Sequence, residues 1–224
     1  MVFEILRDAS RYAGSHSDRV MEATQQHLLL VIVPLVIAML MGGYLGWQCA
    51  AWSRKGTLFS QAIVATVLNL FNALRVIPSL AILFLLIPLL GLTFQAAAIA
   101  LCALAIPPIL LATEVGFRTV PSVVREAGLA MGMTSWQLFY HVDLPLALPI
   151  VLAGLKTATL EVIASATLAA FIGAGGLGTF ITLGFALNDP AILLVGAIPV
   201  AGLALMAEFI LDRLPQSLPR ASHS

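Results

Sequence analysis

The sequence predicts an all-helical integral membrane protein with about five membrane-spanning helices. Apolar residues make up 60% of the 224 residues and charged residues only 10%, and the mean hydropathy is +1.02. Soluble domains of this size contain roughly 45–50% apolar and about 25% charged residues. Several apolar runs also approach or exceed the ~20 residues that cross a ~30 Å hydrocarbon layer. The excess of apolar residues therefore points to a bilayer and not to a globular core.

The apolar runs follow one another with short polar breaks. Residues 1–27 carry both charge signs and lack an early apolar run, so they are expected to be a polar lead-in and not a signal peptide. A transmembrane domain is predicted for 28–213, and a short polar tail for 214–224. Within that domain the expected spans are 28–47, 58–92, 94–112, 146–171 and 191–211, with a polar insert at 113–145.

The run 58–92 allows two topologies. At ~1.5 Å per residue it would be roughly 50 Å long, which is too long for one untilted span. Pro78 interrupts it, so it is either one kinked helix or two short spans with Arg75 at the turn. A single kinked span places most basic residues on one side: Arg54, Lys55, Arg118, Arg125, Arg213 and Arg220. Because basic residues accumulate in cytoplasmic loops, we expect five spans, a cytoplasmic insert and C-terminus, and an external N-terminus.

The insert reads as two short helices joined by a glycine turn. Pro121 can open the first helix, where a missing N–H costs little. Gly132 suits the end of that helix, since a positive φ is wanted there. Thr134 followed by Gln137 matches a capping box that starts a second helix, which Pro145 should close. The first helix carries an apolar face of small and medium residues: Val123, Val124, Ala127, Ala130 and Met131.

Three interpretations of the insert compete on physical grounds. A DNA-binding helix-turn-helix is disfavoured because the insert is near-neutral and the chain has no net charge. A merely solvated loop is a plain alternative. The apolar face favours a docking element whose helix lies in the groove of a partner.

The motif residues resemble a known family. Glu126-Ala127-Gly128, then Gly132, then Val142-Asp143-Leu144-Pro145 keep every spacing of the cytoplasmic EAA signature of ABC importer permeases. Gly128 and Val142 are conservative departures, standing for alanine and isoleucine. The resemblance extends over roughly 60–213, and it is greatest to permeases for osmoprotectants and quaternary amines such as glycine betaine, choline and carnitine. Methionine importer permeases share the same core. The similarity continues in three further segments: 77–81, 144–149 and 171–178.

This resemblance implies a coupling helix that docks into a cleft of a separate ATP-binding subunit. Glu126 would contact that subunit, with Ala127 and Gly128 beside it. Gly132 would permit the sharp turn, and Leu144-Pro145 would return the chain to the membrane. The implied partners are a dimer of ATP-binding subunits that bind Mg-ATP, a second permease subunit (identical or paralogous), a substrate-binding protein and the lipid bilayer of the inner membrane.

Two charged residues in predicted spans are candidates for a translocation pathway. Arg75 would be expensive inside a bilayer unless it lies at the break near Pro78. Glu161 could face the pathway, or it could pair with Lys156 or Arg75. Lys156 itself is near enough to the cytoplasmic edge to extend its amine into water.

The glycines of 173–178 formally match a dinucleotide-binding pattern, which needs a preceding strand. An apolar helix precedes them here, so close helix packing is the favoured interpretation. The resemblance places them near the pathway or the permease contact: Gly173, Gly175, Gly176 and Gly178.

No catalytic arrangement can be assembled from the sequence. The four histidines are scattered, and no phosphate-binding G-x-x-x-x-G-K-[ST] loop is present, so we expect no enzyme activity and no cofactor in this chain. Cys49 and Cys102 have no metal-binding spacing and are expected to be small buried residues. An ATP-independent channel or carrier is the alternative of a different class, and it would have no use for the insert.

Overall fold

The computed structural model describes residues 2–214, and every regular element within that range is helical. The helices of the first half are α1 (Val2–Ser15), α2 (Ser17–Ser53), α3 (Leu58–Leu74), α4 (Ser79–Leu90) and α5 (Phe94–Arg118). Those of the second half are α6 (Ser122–Ala130), α7 (Ser135–Leu138), α8 (Leu144–Ala166), α9 (Gly178–Ala186) and α10 (Pro190–Arg213). A π-helical turn, Phe139–Asp143, joins α7 to α8, and a 3₁₀ turn, Leu168–Ile172, follows α8. Most of the predicted tail, including Arg220, lies outside the described residues.

The prediction of about five spans is confirmed. Four helical stretches in the described range are long and apolar enough to cross a membrane: α2, α5, α7 with α8, and α10. The pair α3–α4 makes a fifth if it is counted as one bent span. The predicted boundary at Leu28 lies inside α2, because the polar residues from Ser17 onward continue into the apolar run without a proline or glycine.

The kink predicted at Pro78 is a complete break of the helix. The axes of α3 and α4 differ by 92°, and Arg75 is the C-terminal cap of α3. Proline disfavours helical geometry in the residue before it, so Ile77 cannot continue α3 toward Ser79. Two short helices therefore replace one over-long helix.

The described residues form two compact units, each with its own core. The loop unit comprises 2–37, 76–105 and 159–207, and the insert unit comprises 38–75, 106–158 and 208–214. In the insert unit, α2 crosses α5 at close range: a Cβ on Gly46 would lie 2.5 Å from Leu110 O and 2.7 Å from Thr113 Cβ. Such small residues let membrane helices approach closely. Substituting Gly46 would push α2 and α5 apart.

In the loop unit, the glycine segment wraps the beginning of α2. Gly173, Gly175 and Gly176 all have positive φ, at 69°, 81° and 82°. Gly176 N donates a hydrogen bond of 3.0 Å to Gln26 Oε1, and His27 beside it is fully buried. A Cβ on Gly175 would collide with the Gln26 side chain. The described range contains no strand of the kind that a dinucleotide site would need. Gly175 and Gly176 instead lie against Gln26 and His27.

Helix α1 packs on the same unit through one face. Ala9 is buried, and Tyr12 and Ala13 pack against the same cluster as Phe180 and Ile192. The opposite face carries exposed charges at Arg7, Asp8 and Arg11. The first part of the predicted polar lead-in is thus an amphipathic helix, and the rest belongs to α2.

Candidate functional site

The insert has the predicted helix, glycine turn and helix. Helix α6 ends at Ala130, Gly132 has a φ of +83°, and Met133 N donates to Gly128 O at 3.1 Å across the turn. Thr134 then caps α7 in a complete capping box. Gln137 N donates to Thr134 Oγ1 at 3.3 Å, and Thr134 N donates to Gln137 Oε1 at 2.8 Å. Both turns are fixed by local chemistry.

The predicted apolar face of α6 lies open. Val123 and Met131 are each 73% exposed, and Leu129 is exposed as well. Glu126 and Ala127 are also exposed, and no hydrogen bond or ion pair to Glu126 is formed within the described residues. An amphipathic helix normally buries its apolar side. In α6 this side is available to another molecule.

Gly128 is the buried residue of α6, and the structure gives a reason for it. A Cβ at this position would lie 2.8 Å from Leu138 Cδ1 and 3.2 Å from Met133 Sδ. The absence of a side chain therefore lets α6 lie directly on α7. The departure from alanine in the family signature fits the bulk of Leu138 beneath it.

An ion pair ties α6 to the start of α8, and sequence reasoning missed it. Arg125 Nε lies 2.9 Å from Asp143 Oδ1, and the Asp143 side chain is only 6% exposed. The N–H bond is not aligned with the oxygen, so the contact is electrostatic more than a hydrogen bond. Asp143 is the variable residue of the motif between Val142 and Leu144. A buried acid in an apolar sequence requires a partner, and this was the available signal.

A second cation stands beside that pair. Burial lowers the pKa of Arg54, the Arg125 guanidinium lowers it further, and Asp143 opposes both effects. Arginine keeps its charge throughout the accessible pH range. Arg54 also donates from Nη1 to Phe117 O at 3.1 Å, which connects the end of α2 to the end of α5. One buried carboxylate thus faces two guanidinium groups.

The first residues of the predicted insert, from Thr113, are helical, because α5 continues to Arg118. Glu114 is buried, and its Oε1 accepts bonds of 2.7 Å from Arg118 Nε and 3.3 Å from Ser53 Oγ. These partners satisfy the carboxylate, so the polar residues that follow the apolar run remain helical.

The expectation that Pro145 closes the second helix is wrong. The chain passes from α7 through the π-helical turn into α8, and Pro145 is the second residue of α8. Proline is accommodated there because the preceding π-helical turn already interrupts the regular i→i−4 hydrogen bonds. Leu144 still begins the return toward the apolar stretch, and its N–H donates to Phe139 O.

An aromatic cluster lies under the π-helical turn. The rings of Phe117 and Phe139 stack at 5.8 Å, and Trp47 meets Phe139 edge-on at 5.9 Å. Leu138 and Val142 are buried in the same core. The ends of α2 and α5 and the beginning of α8 therefore share one core with α7 and the π-helical turn.

The remaining candidates do not gather into one site. Arg75 and Pro78 are exposed at the break after α3, and Glu161 is half-buried in the part of α8 that belongs to the loop unit. Gly175 and Gly176 pack on Gln26 and His27 of α2, whereas Gly178 lies against Thr167. Within the described residues, no three His, Cys, Asp or Glu side chains are grouped as metal ligands.

Lys156 is paired with acids near the end of α10. Its Nζ lies 3.2 Å from Glu208 Oε1 and 2.7 Å from Asp212 Oδ1. All three groups belong to the insert unit. The ion pairs fasten α8 to α10.

Comparisons with known proteins agree with the motif. A family model described as "Binding-protein-dependent transport system inner membrane component" matches residues 42–219. The carnitine transport permease protein OpuCB of Listeria monocytogenes is 45% identical over 163 residues, covering 72% of this chain and 75% of that protein. The glycine betaine/carnitine/choline transport system permease protein OpuCB of Bacillus subtilis is 37% identical over 188 residues, covering 84% and 83%.

A solved structure shares the fold. The MetNI methionine ABC transporter, in an inward-facing conformation, has a chain that matches with a TM-score of 0.75 and 24% identity. The match covers 90% of this chain and 97% of that one. At this identity the likeness concerns the fold alone.

Proposed function

The chain belongs to the family of binding-protein-dependent transport system inner membrane components, and from that membership we propose that it forms one half of the membrane pathway of an ATP-driven importer. The cargo is a small compatible solute such as glycine betaine, carnitine or choline. The names of the relatives support this class of solute, since both are permeases for such compounds. A methionine cargo has weaker support, because the MetNI likeness is one of fold.

The observation that carries the proposal is the open apolar face of α6 on a rigid support. Val123, Leu129 and Met131 present apolar surface, and Glu126 beside them carries a charge that no residue of the described range pairs. A helix with this composition fits a cleft on a partner protein. We assign the ATP-binding subunit as that partner. Ala127 and Gly128 complete the part of the motif that would lie at the contact.

Movement of the partner would reach the membrane through the Arg125–Asp143 pair and the aromatic cluster. The pair joins α6 to the start of α8, and the cluster joins α8 to α2 and α5. Closure of the ATP-binding dimer would displace α6 and tilt the attached helices together. This is a rigid-body form of alternating access.

The other partners and the orientation follow from the same proposal. A second permease subunit, identical or paralogous, completes the pathway, and a separate binding protein delivers the solute. Mg-ATP binds to the ATP-binding subunits and not to this chain. The insert and the C-terminal end face the cytoplasm of a cell with this protein in its inner membrane. An ATP-independent channel or carrier would leave the exposed face of α6 without a role.

Co-purification tests the docking contact. The chain is co-expressed with the ATP-binding subunit of its own system, and the complex is captured in detergent through a tag on the permease. Val123→Glu with Met131→Glu should abolish recovery of the ATP-binding subunit, because two charges would enter an apolar contact.

Ser10→Glu is the control, since it adds a charge at an exposed position of α1, far along the chain from the insert. Recovery should equal that of the unaltered chain. Undiminished recovery with the double variant would exclude α6 as the docking helix.

A further inference from the structure

Helix α3 has three distinct faces. At about 100° per residue, Gln61, Ala65, Leu68, Asn72 and Arg75 fall within roughly 40° of one line along the helix. Asn69 lies at the edge of this polar stripe. A second face is buried and includes Ser60 and Val64. The third face is exposed and mostly apolar: Phe59, Ala62, Thr66, Leu70 and Ala73.

The amide side chains of the polar stripe have no partners within the described part of the chain. Gln61, Asn69 and Asn72 are all exposed, and none of their amide groups takes part in a hydrogen bond there. Thr66, on the apolar face, differs because its hydroxyl donates to Ala62 O at 2.8 Å. An amide without a hydrogen bond costs several kcal/mol in hydrocarbon. Lipid therefore suits the face that carries Thr66 and does not suit the polar stripe.

A cavity adjoins the beginning of the polar stripe. It has a volume of about 350 Å³ and lies between α3, α5 and the end of α2. Gln61 and Ala65 line it from α3, and the Glu114–Arg118 pair lines it from α5. Its volume lies at the lower end of the range of ~300–1,000 Å³ that is typical of small-molecule sites, and its walls combine apolar and polar surface.

We propose that the polar stripe of α3 lines the translocation pathway and that Arg75 at its end favours solutes with a carboxylate. This inference rests on the proposed function and adds the residues that contact the cargo. The stripe offers amide groups that can replace water around a solute without holding it tightly. Its one charge is the exposed guanidinium of Arg75, and no acid lies on α3. A zwitterion such as glycine betaine can pair its carboxylate with this group, whereas a bare cation such as choline is repelled.

Thiol labelling tests the lining of the pathway. In a background with Cys49→Ala and Cys102→Ala, single cysteines replace Gln61 or Asn72 on the polar stripe, or Thr66 or Leu70 on the opposite face. The assembled transporter in vesicles is treated with trimethylammonium-ethyl methanethiosulfonate, a charged reagent that reacts with thiolates in water. Labelling of the stripe positions should be about tenfold faster or more, since a thiol in lipid stays protonated. It should also block uptake, and glycine betaine should slow it.

Equal labelling of both faces, or labelling of the stripe without loss of uptake, would overturn the pathway assignment. The experiments distinguish failure of the proposed function from failure of the pathway assignment. Loss of ATP-driven uptake in the unlabelled, unaltered protein would overturn the proposed function, while the labelling pattern alone decides whether the stripe faces water.

Competition between solutes tests Arg75. Arg75→Gln should raise the ratio of choline uptake to glycine betaine uptake by about threefold, as expected for one charge acting through a polar medium. Lys55→Gln is the control, because it removes a positive charge from the neighbouring loop and not from the polar stripe. An unchanged ratio in Arg75→Gln, or the same change in Lys55→Gln, would overturn the role of Arg75.

Discussion

Replacing Arg125 by methionine should release α6 from the start of α8. Methionine keeps most of the aliphatic length of the side chain and removes the charge that faces Asp143 at 2.9 Å. Asp143 would then be a carboxylate with 6% exposure and a single remaining cation nearby, Arg54. Breaking a buried ion pair from one side costs roughly 3–5 kcal/mol.

The lower end of that range applies here. The Arg125 side chain is 25% exposed, and Arg54 can compensate in part. A cost of about 3 kcal/mol corresponds to about a hundredfold change in the equilibrium for local opening of α6. Backbone hydrogen exchange of α6 in the assembled complex measures this equilibrium, because protected amides exchange through local opening.

Two further variants make the measurement decisive. Arg125→Met with Asp143→Leu should recover most of the protection, since no buried charge is left without a partner. Arg11→Met removes a cation that lies 3.9 Å from Asp8 in an exposed pair, and it should leave α6 unchanged. The reasoning fails if Arg125→Met changes exchange by less than about twofold, or if the effects of the two substitutions simply add.

Four other substitutions, at three positions, test the insert and the pathway. Gly132→Val should leave membrane insertion intact but abolish uptake and uncouple ATP hydrolysis from the binding protein. The reason is that a β-branched residue is strained at a φ of +83°. Uptake in reconstituted vesicles and ATP hydrolysis stimulated by the binding protein measure these effects. Gly128→Ala should cost less than about 1 kcal/mol of unfolding free energy and keep uptake, since only the ends of the Leu138 and Met133 side chains have to shift. Gly128→Val should separate α6 from α7 and abolish uptake. Equal uptake by the two variants would contradict the described packing of α6 on α7. Glu161→Gln should reduce uptake without altering recovery of the complex, and unchanged transport kinetics would remove Glu161 from the pathway.

Local structure could be predicted from the sequence wherever a few neighbouring residues determine the backbone conformation. Thr134 and Gln137 form their capping box from residues three apart, and Gly132 takes the positive φ that its place at a helix end demands. Hydropathy likewise predicted the spans, because their lengths are set by the bilayer. These features depend on no distant contact.

Features that depend on tertiary partners were missed or misjudged. Helix α5 extends to Arg118 because Glu114 accepts hydrogen bonds from Ser53 and Arg118. The sequence alone shows only an acidic residue after an apolar run. The ion pair Arg125–Asp143 joins residues from two different helical segments, so it cannot be predicted from an i, i+3 or i, i+4 spacing in the sequence.

Proline effects were only half predictable. Pro78 was expected to kink a helix, and the helix is instead broken there, with an angle of 92° between α3 and α4. Pro145 was expected to end a helix and instead lies in the first turn of α8, because a π-helical turn precedes it. Such turns depend on the aromatic cluster below them, which involves Phe117 from another helix.

Solute accumulation in vesicles tests the central claim most directly. The chain is reconstituted with the ATP-binding subunit and the binding protein of its own system, with Mg-ATP on the side that faces the insert and glycine betaine outside. The account predicts uptake against a concentration gradient that requires both ATP and the binding protein, and that Val123→Glu with Met131→Glu abolishes. Equilibration of the solute without ATP, at the same rate in the double variant, would identify a channel or passive carrier and contradict the account.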